Sequence, residues 1–186
     1  MDILEKLQDE SQVIVVNADK NMAEVKMYEK VNNKWIPIMQ THGYIGKNGL
    51  GKEREGDWKT PVGLYEIGIA FGTKNDVQSN LDYYKLNEDM YWICDENSIY
   101  YNKFIDKTKV ENDWDESKNE HLIDEKIAYE YAIEIKYNKE CERGKGSAIF
   151  LHCIKNGSTA GCVAIPSNDM KFVLENIKKT CKIYIY

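Results

Sequence analysis

The sequence predicts a mainly β fold with a few short helices. Three observations carry this reading. Residues 11–28 join a β-branched run to an alternating one, residues 129–137 alternate cleanly between two faces, and one long stretch, after Pro166, repeats its apolar positions at helical spacing. At 186 residues the chain can bury a core without disulfide or metal staples, and it reads as one domain over 1–186.

In order along the chain, residues 2–10 place Ile3, Leu4 and Leu7 on one helical face and predict a short leading helix. A strand follows at 11–16. After a turn at 17–21, Met22, Glu24, Lys26 and Tyr28 alternate with Ala23, Val25 and Met27 as a second, paired strand. Asn32 and Asn33 turn the chain into a third strand at 35–40, with Pro37 at an edge or irregularity, so this part reads as an antiparallel meander.

Six glycines within residues 43–63 predict a long ordered loop, and their spacing matches neither the Walker pattern nor the dinucleotide fingerprint. A strand at 62–69 returns the chain to the sheet. Residues 72–90 are polar and predict a helical turn or surface loop, 91–94 is strand-like, and the segment up to His121, rich in tyrosine and then acidic, reads as the wall of a groove. Within 129–137, Tyr131, Ile133, Ile135 and Tyr137 share one face and Ala132, Glu134 and Lys136 the other. A charged turn at 139–146 leads to strands at 148–151 and 163–165 around a polar loop at 155–161. The apolar positions 170, 173, 174 and 177 then predict an amphipathic helix capped by the polar residues after Pro166 and ending in lysines, before a terminal strand at 181–186.

Bulk properties exclude several classes of function. Thirty-one acidic residues against 25 Lys and Arg give a net charge of −6, a poor match to a phosphate backbone, so nucleic acid is not an expected partner. No run approaches the ~18 apolar residues of a membrane span, and the first residues show no export leader. Cys94, Cys141, Cys153, Cys162 and Cys181 are odd in number, with no CxxC pair, which argues against a disulfide framework and a four-ligand zinc site.

The chemistry concentrates between Gly146 and Pro166. His152 ends one apolar run and Cys162 opens the next, so a loop that folds back brings imidazole and thiol within hydrogen-bond reach, the arrangement of an activated cysteine nucleophile. Such a pairing is expected to lower the thiol pKa from its free value of about 8.5. Ser158, Thr159 and Ala160 leave room for a substrate beside Gly161 and Cys162, where successive backbone N–H groups converge on a developing oxyanion. The group that orients the imidazole is Ser158, Thr159 or a backbone carbonyl. The other four cysteines read as small apolar side chains, and His42 and His121 as surface or structural histidines. A zinc site at His152, Cys153 and Cys162 is disfavoured because Cys153 faces away from His152 on the strand.

With these residues in place the chain resembles the L,D-transpeptidase catalytic domain family, also called YkuD-like. The resemblance rests on Gly-Ser-Ala-Ile-Phe-Leu-His at 146–152 and Thr-Ala-Gly-Cys-Val-Ala-Ile-Pro at 159–166. It extends to Glu-Gly-Asp-Trp-Lys-Thr-Pro-Val-Gly at 55–63, Ser-Ile-Tyr-Tyr-Asn at 98–102 and Glu-His-Leu at 120–122, and so covers roughly 40–175. It implies an L,D-transpeptidase-like β-sandwich or barrel, with Cys162 as nucleophile, His152 as base, and Gly161 and Thr159 completing the catalytic set. Ser158, Ala160, Tyr101, Asn102 and Trp58 would bind substrate. The implied reaction is attack on the bond between the third residue of a peptidoglycan stem peptide and the following D-alanine, with a thioester passed on to an amine or to water, and no metal or cofactor.

Many members carry Ser-His-Gly-Cys and an arginine two places after the cysteine. Here Thr159-Ala160-Gly161-Cys162 is followed by Ala164, which passes the arginine's role to Lys155, Arg54 or Lys59, or changes the substrate's end group. The resemblance implies a cell-wall, extracytoplasmic location; action on muropeptides in the cytoplasm is the alternative. A non-catalytic wall-binding module and a thiol-regulated protein are the competing classes.

Overall fold

The computed structural model describes residues 3–7 and 10–186. Its helices are α1 (Ile3–Lys6) and α2 (Ser167–Asn176). Its strands are β1 (Gln12–Asp19), β2 (Met22–Val31), β3 (Lys34–Tyr44), β4 (Gly63–Gly72), β5 (Tyr83–Lys85), β6 (Met90–Trp92), β7 (Phe104–Asp106), β8 (Glu120–His121), β9 (Ala132–Ile135), β10 (Phe150–Cys153), β11 (Val163–Ile165) and β12 (Lys182–Ile185), with single 3-10 turns between some of them. Of the leading helix expected over 2–10, α1 is helical; residues 2, 8 and 9 lie outside the described residues.

The meander is one side of a larger ring. A nine-stranded sheet runs β12-β1-β2-β3-β11-β10-β9-β4-β5, and β12 also pairs with β4, which closes the sheet into a barrel and removes most of its free edges. Asn32 and Asn33 both hold positive φ (49° and 62°), as a two-residue hairpin turn between β2 and β3 requires. The register slips between Met27 and Tyr28, opposite Met39 and Pro37, so Pro37 sits beside a bulge as its missing N–H predicts.

The alternation sorts the apolar side chains. Tyr131, Ile133, Ile135 and Tyr137 enter the barrel cluster with Ile14, Val16, Leu151, Val163 and Ile183, joined there by Met170, Val173 and Leu174 of α2. Ala132 on the opposite face joins Phe71, Trp92, Tyr129, Phe150 and Cys162 in a second cluster beneath a three-stranded sheet, β7-β6-β8. The catalytic cysteine candidate therefore lies between two packed layers.

Four expectations shift. The polar stretch at 72–90 holds a strand, β5, paired in parallel with β4. The strand expected at 148–151 starts only at Phe150, because Ala148 takes a left-handed conformation (φ 54°) in which Asn102 Oδ1 accepts its N–H. The strand expected at 129–137 is shortened to β9 by a 3-10 turn at Ala128–Glu130. No side chain caps α2: Ser167 donates its hydroxyl to Glu130 instead, and Pro166 occupies the cap position.

Candidate active site

β10 and β11 run parallel, with Leu151 opposite Val163 and His152 opposite Ala164. The 155–161 loop thus carries the chain back to the start of β10, not round a hairpin. Cys162 arrives level with Phe150, whose backbone N–H donates to the sulfur at 3.3 Å, while the thiol donates to the Ala148 carbonyl at 3.3 Å. Cys153 points the other way, into the barrel cluster.

No hydrogen bond joins His152 to Cys162 among the described residues. His152 Nδ1 instead meets the Cys153 carbonyl at 2.8 Å, so a backbone carbonyl is the orienting group and neither Ser158 nor Thr159 is. A carbonyl only accepts, which places the proton on Nδ1 and leaves Nε2 as the basic nitrogen. Burial lowers the imidazole pKa below its ordinary 6.5, against the opposing pull of the Cys153 carbonyl and the Glu125 charge. The expected lowering of the thiol pKa is reversed. Burial, followed by the charge of Glu120, pushes it up to about 12, outweighing the Phe150 N–H and the Lys52 charge. These shifts favour a neutral imidazole and a neutral thiol, so an attack by this sulfur would require proton transfer.

Behind the Cys162 thiol the backbone is held from both sides. Thr159 Oγ1 accepts from the Gly161 N–H at 3.1 Å and donates to the Cys162 carbonyl at 2.7 Å, and Thr60 Oγ1 donates to the Gly161 carbonyl at 2.7 Å. Thr159 is a positioning residue of the turn, and the Gly161 N–H that it occupies is withdrawn from the expected oxyanion donors. Gly161 (φ 154°) is tightly packed in a conformation that L side chains rarely adopt: an added Cβ would lie 3.0 Å from the Lys59 carbonyl oxygen and 3.1 Å from Ile149 Cδ1. We expect Thr159→Val to lose about 1 kcal/mol or more, because it leaves these polar groups unmet, and Thr159→Ser to retain stability. Urea unfolding of the two variants side by side measures it.

Lys52, not singled out by sequence, lies buried next to this turn. Its Nζ bonds Asp57 Oδ1 at 3.0 Å and the Arg54 carbonyl at 3.2 Å, and a Cβ on Gly161 would sit 3.7 Å from it. Desolvation would raise the Asp57 carboxyl, but the N–H groups of Glu53, Lys59 and Arg54 and the Lys52 ammonium outweigh it and bring its pKa down to about 2.

Tyr101 and Asn102, expected at the substrate, instead brace the backbone behind the thiol. Tyr101 donates its hydroxyl to Glu55 Oε2 at 2.7 Å and accepts from the Gly146 N–H, and Ser147 donates to the same carboxylate oxygen. Asn102 Oδ1 accepts from Trp92 Nε1 and the Ala148 N–H, while its Nδ2 donates to the Tyr137 and Asn138 carbonyls. Asn102 thus holds Ala148, the thiol's acceptor, while Tyr101 holds Gly146 two residues before it.

In front of the thiol is an open cleft of about 820 Å³, lined by His152 and Cys162 together with Trp58, Ser158, Thr159 and Ala160. Of the cations considered for the arginine's role, Lys155 lies in the cleft and pairs with Glu125 at 2.7 Å; Arg54 and Lys59 do not line it. The opposite wall brings in the Glu120 segment, where Tyr129 donates its hydroxyl to Glu120 and stands edge-on to His152 at 5.6 Å. Burial, with the charges of Glu125 and Glu55, raises Glu120 to about 7 despite the Tyr129 hydroxyl. His121, at the rim, stacks on Tyr91 and bonds Asp124 and the Glu88 carbonyl, a structural role as expected. His42 is exposed on β3.

Among known families, YkuD, the L,D-transpeptidase catalytic domain, matches residues 11–185. The match extends beyond 40–175 at both ends, to the strands β1, β2 and β12 that close the barrel. Among solved structures, the helical cell shape determining protein Pgp2 of Campylobacter jejuni is similar at 18% identity and a TM-score of 0.48, over 98% of this chain and 53% of that one. A point mutant of Pgp2 is similar at 19% identity and a TM-score of 0.46, over 98% and 52%. The chain thus spans about half the length of these proteins. No curated protein matches it.

Proposed function

Since the chain belongs to the L,D-transpeptidase catalytic domain family, whose members act on peptidoglycan, we propose that it is a cysteine acyltransferase working on peptidoglycan stem peptides. Its substrate bond joins the third stem residue to the following D-alanine. His152 Nε2 takes the thiol proton as Cys162 Sγ attacks the carbonyl carbon of that bond. The tetrahedral intermediate collapses with loss of the C–N bond, and the imidazolium returns the proton to the departing D-alanine amine, leaving a thioester on Cys162. A side-chain amine of a second stem then takes the acyl group and forms a cross-link.

The observation that supports this reading best is the setting of the neutral thiol. Cys162 and His152 line one cleft, and the imidazole is fixed through Nδ1 with Nε2 left as base. No metal or cofactor enters the reaction as proposed. No helix among the described residues is long and apolar enough to cross a membrane. The family's peptidoglycan substrate supports action at the cell wall, with muropeptides in the cytoplasm as the alternative.

Incubation with a disaccharide tetrapeptide tests the proposal. D-Alanine release with a cross-linked dimer is the expected result. Release without dimer assigns L,D-carboxypeptidase action, with water in place of the amine. An untouched substrate that still binds the protein overturns the enzymatic reading in favour of a wall-binding module.

A further inference from the structure

Resting on the reading above, we infer that Glu120 receives the ammonium group of the acceptor stem and takes its proton, making it the residue that selects an amine over water in the second half of the reaction. Glu120 lines the cleft with His152 and Cys162. Its carboxylate accepts from the Tyr129 hydroxyl, and no cationic side chain pairs with it among the described residues. The neighbouring acid Glu125 is matched by Lys155 at 2.7 Å. Of the four acids that line the cleft, Glu125 pairs with Lys155, Asp124 bonds His121 and Glu116 is exposed, whereas Glu120 is half-buried and meets a neutral donor.

This placement works against the first half-reaction. The negative charge of Glu120 opposes formation of the thiolate and is, after burial, the largest influence holding the thiol protonated. Once the thioester exists, the sulfur carries no charge for Glu120 to oppose. The carboxylate then stands in the same cleft as the acyl group, where an incoming ammonium meets its counter-charge. An alkyl ammonium, with a pKa of about 10.4 in water, must lose a proton before it attacks. A carboxylate held out of water by burial and by Glu125 and Glu55 is a stronger base than an exposed one.

The step balances. The ammonium gives one proton to Glu120, and the amine nitrogen attacks the thioester carbonyl. The C–N bond forms, the C–S bond breaks, and the second nitrogen proton passes through His152 Nε2 to the Cys162 sulfur. Glu120 then releases its proton to solvent.

The test is Glu120→Gln, which keeps an acceptor for the Tyr129 hydroxyl and removes the charge. Single-turnover acylation by tetrapeptide is expected to accelerate, because thiolate formation is no longer opposed. The ratio of dimer to hydrolysed product is expected to fall by about tenfold or more, the scale of one charge-assisted hydrogen bond. Transfer to hydroxylamine, uncharged at assay pH, is expected to persist in the variant. An unchanged dimer ratio, an equal loss with hydroxylamine, or slowed acylation overturns the assignment. If the wild-type enzyme acylates and yields only hydrolysed product, the inference fails while the cysteine chemistry stands. If the wild type releases no D-alanine, the parent reading fails and this one with it.

Discussion

On the proposed mechanism, His152→Gln is expected to slow D-alanine release by about 10²–10⁴-fold, the contribution of a positioned general base. The size of the effect follows from the resting state of the thiol. A cysteine already ionised at neutral pH would need the imidazole only as the acid for the leaving amine, whereas Cys162, held protonated with a pKa pushed up to about 12 by burial first and the Glu120 charge second, needs it for both proton transfers. The pH profile gives the same account a sign. The competent imidazole is the neutral form, and burial lowers its pKa below 6.5, so single-turnover acylation rises as pH climbs through that lowered value and then falls as Glu120, raised to about 7, ionises beside the thiol. Acylation that instead climbs steeply between neutral pH and 9 would mean that thiol ionisation, not His152, controls attack.

Lys52→Met carries the largest expected loss of stability. The Lys52 ammonium and Asp57 carboxylate form an ion pair in which both side chains are almost wholly out of water, at 2% and 8% exposure. Removing one partner of such a pair costs about 3 kcal/mol, because the other is left desolvated. Asp57 also accepts the N–H groups of Glu53, Arg54 and Lys59, so the loss spreads into the loop that packs against Gly161. Urea unfolding at pH 7 measures it. The carboxyl is lowered from 3.8 to about 2 on folding, so the stability it contributes is present above 3.8 and is lost as pH falls from there towards 2. The gap between wild type and Lys52→Met is therefore expected to narrow across that acid window. A gap that is constant with pH would place the effect in packing and not in the pair.

Much of the barrel was legible in local pattern. Alternation at Tyr131, Ile133, Ile135 and Tyr137 assigned the inner face of β9, and the paired asparagines marked the hairpin into β3. These signals are short-range. The parallel pairing of β10 with β11 was not legible, since the loop between them is tied through the Thr159 backbone to Ile45 and Lys47, far back in the chain. Closure of the barrel by β12 likewise depends on partners at both ends of the sequence.

At the site, His152 and Cys162 stood out because their residue types and spacing suit nucleophilic chemistry, but their protonation states follow from burial that only the fold creates. Lys52 reads in sequence as one charge in a mixed-charge loop, and only Asp57, five residues on, makes its burial tolerable. Glu120 was visible in the Glu-His-Leu motif, but its burial beside the thiol was not. Tyr101 and Asn102 were found by motif, and their side chains are committed to hydrogen bonds that the motif does not announce. Motif residues with buried hydrogen-bond capacity shape a site from behind as readily as they touch a substrate.

The measurement that bears most directly on the central claim is intact-protein mass spectrometry after brief incubation with tetrapeptide, followed by peptide mapping. The account predicts a tripeptide acyl adduct on wild type that maps to Cys162 and is absent from Cys162→Ala, which also yields no product. An adduct on Cys94, Cys141, Cys153 or Cys181, or product formed by Cys162→Ala, would contradict it.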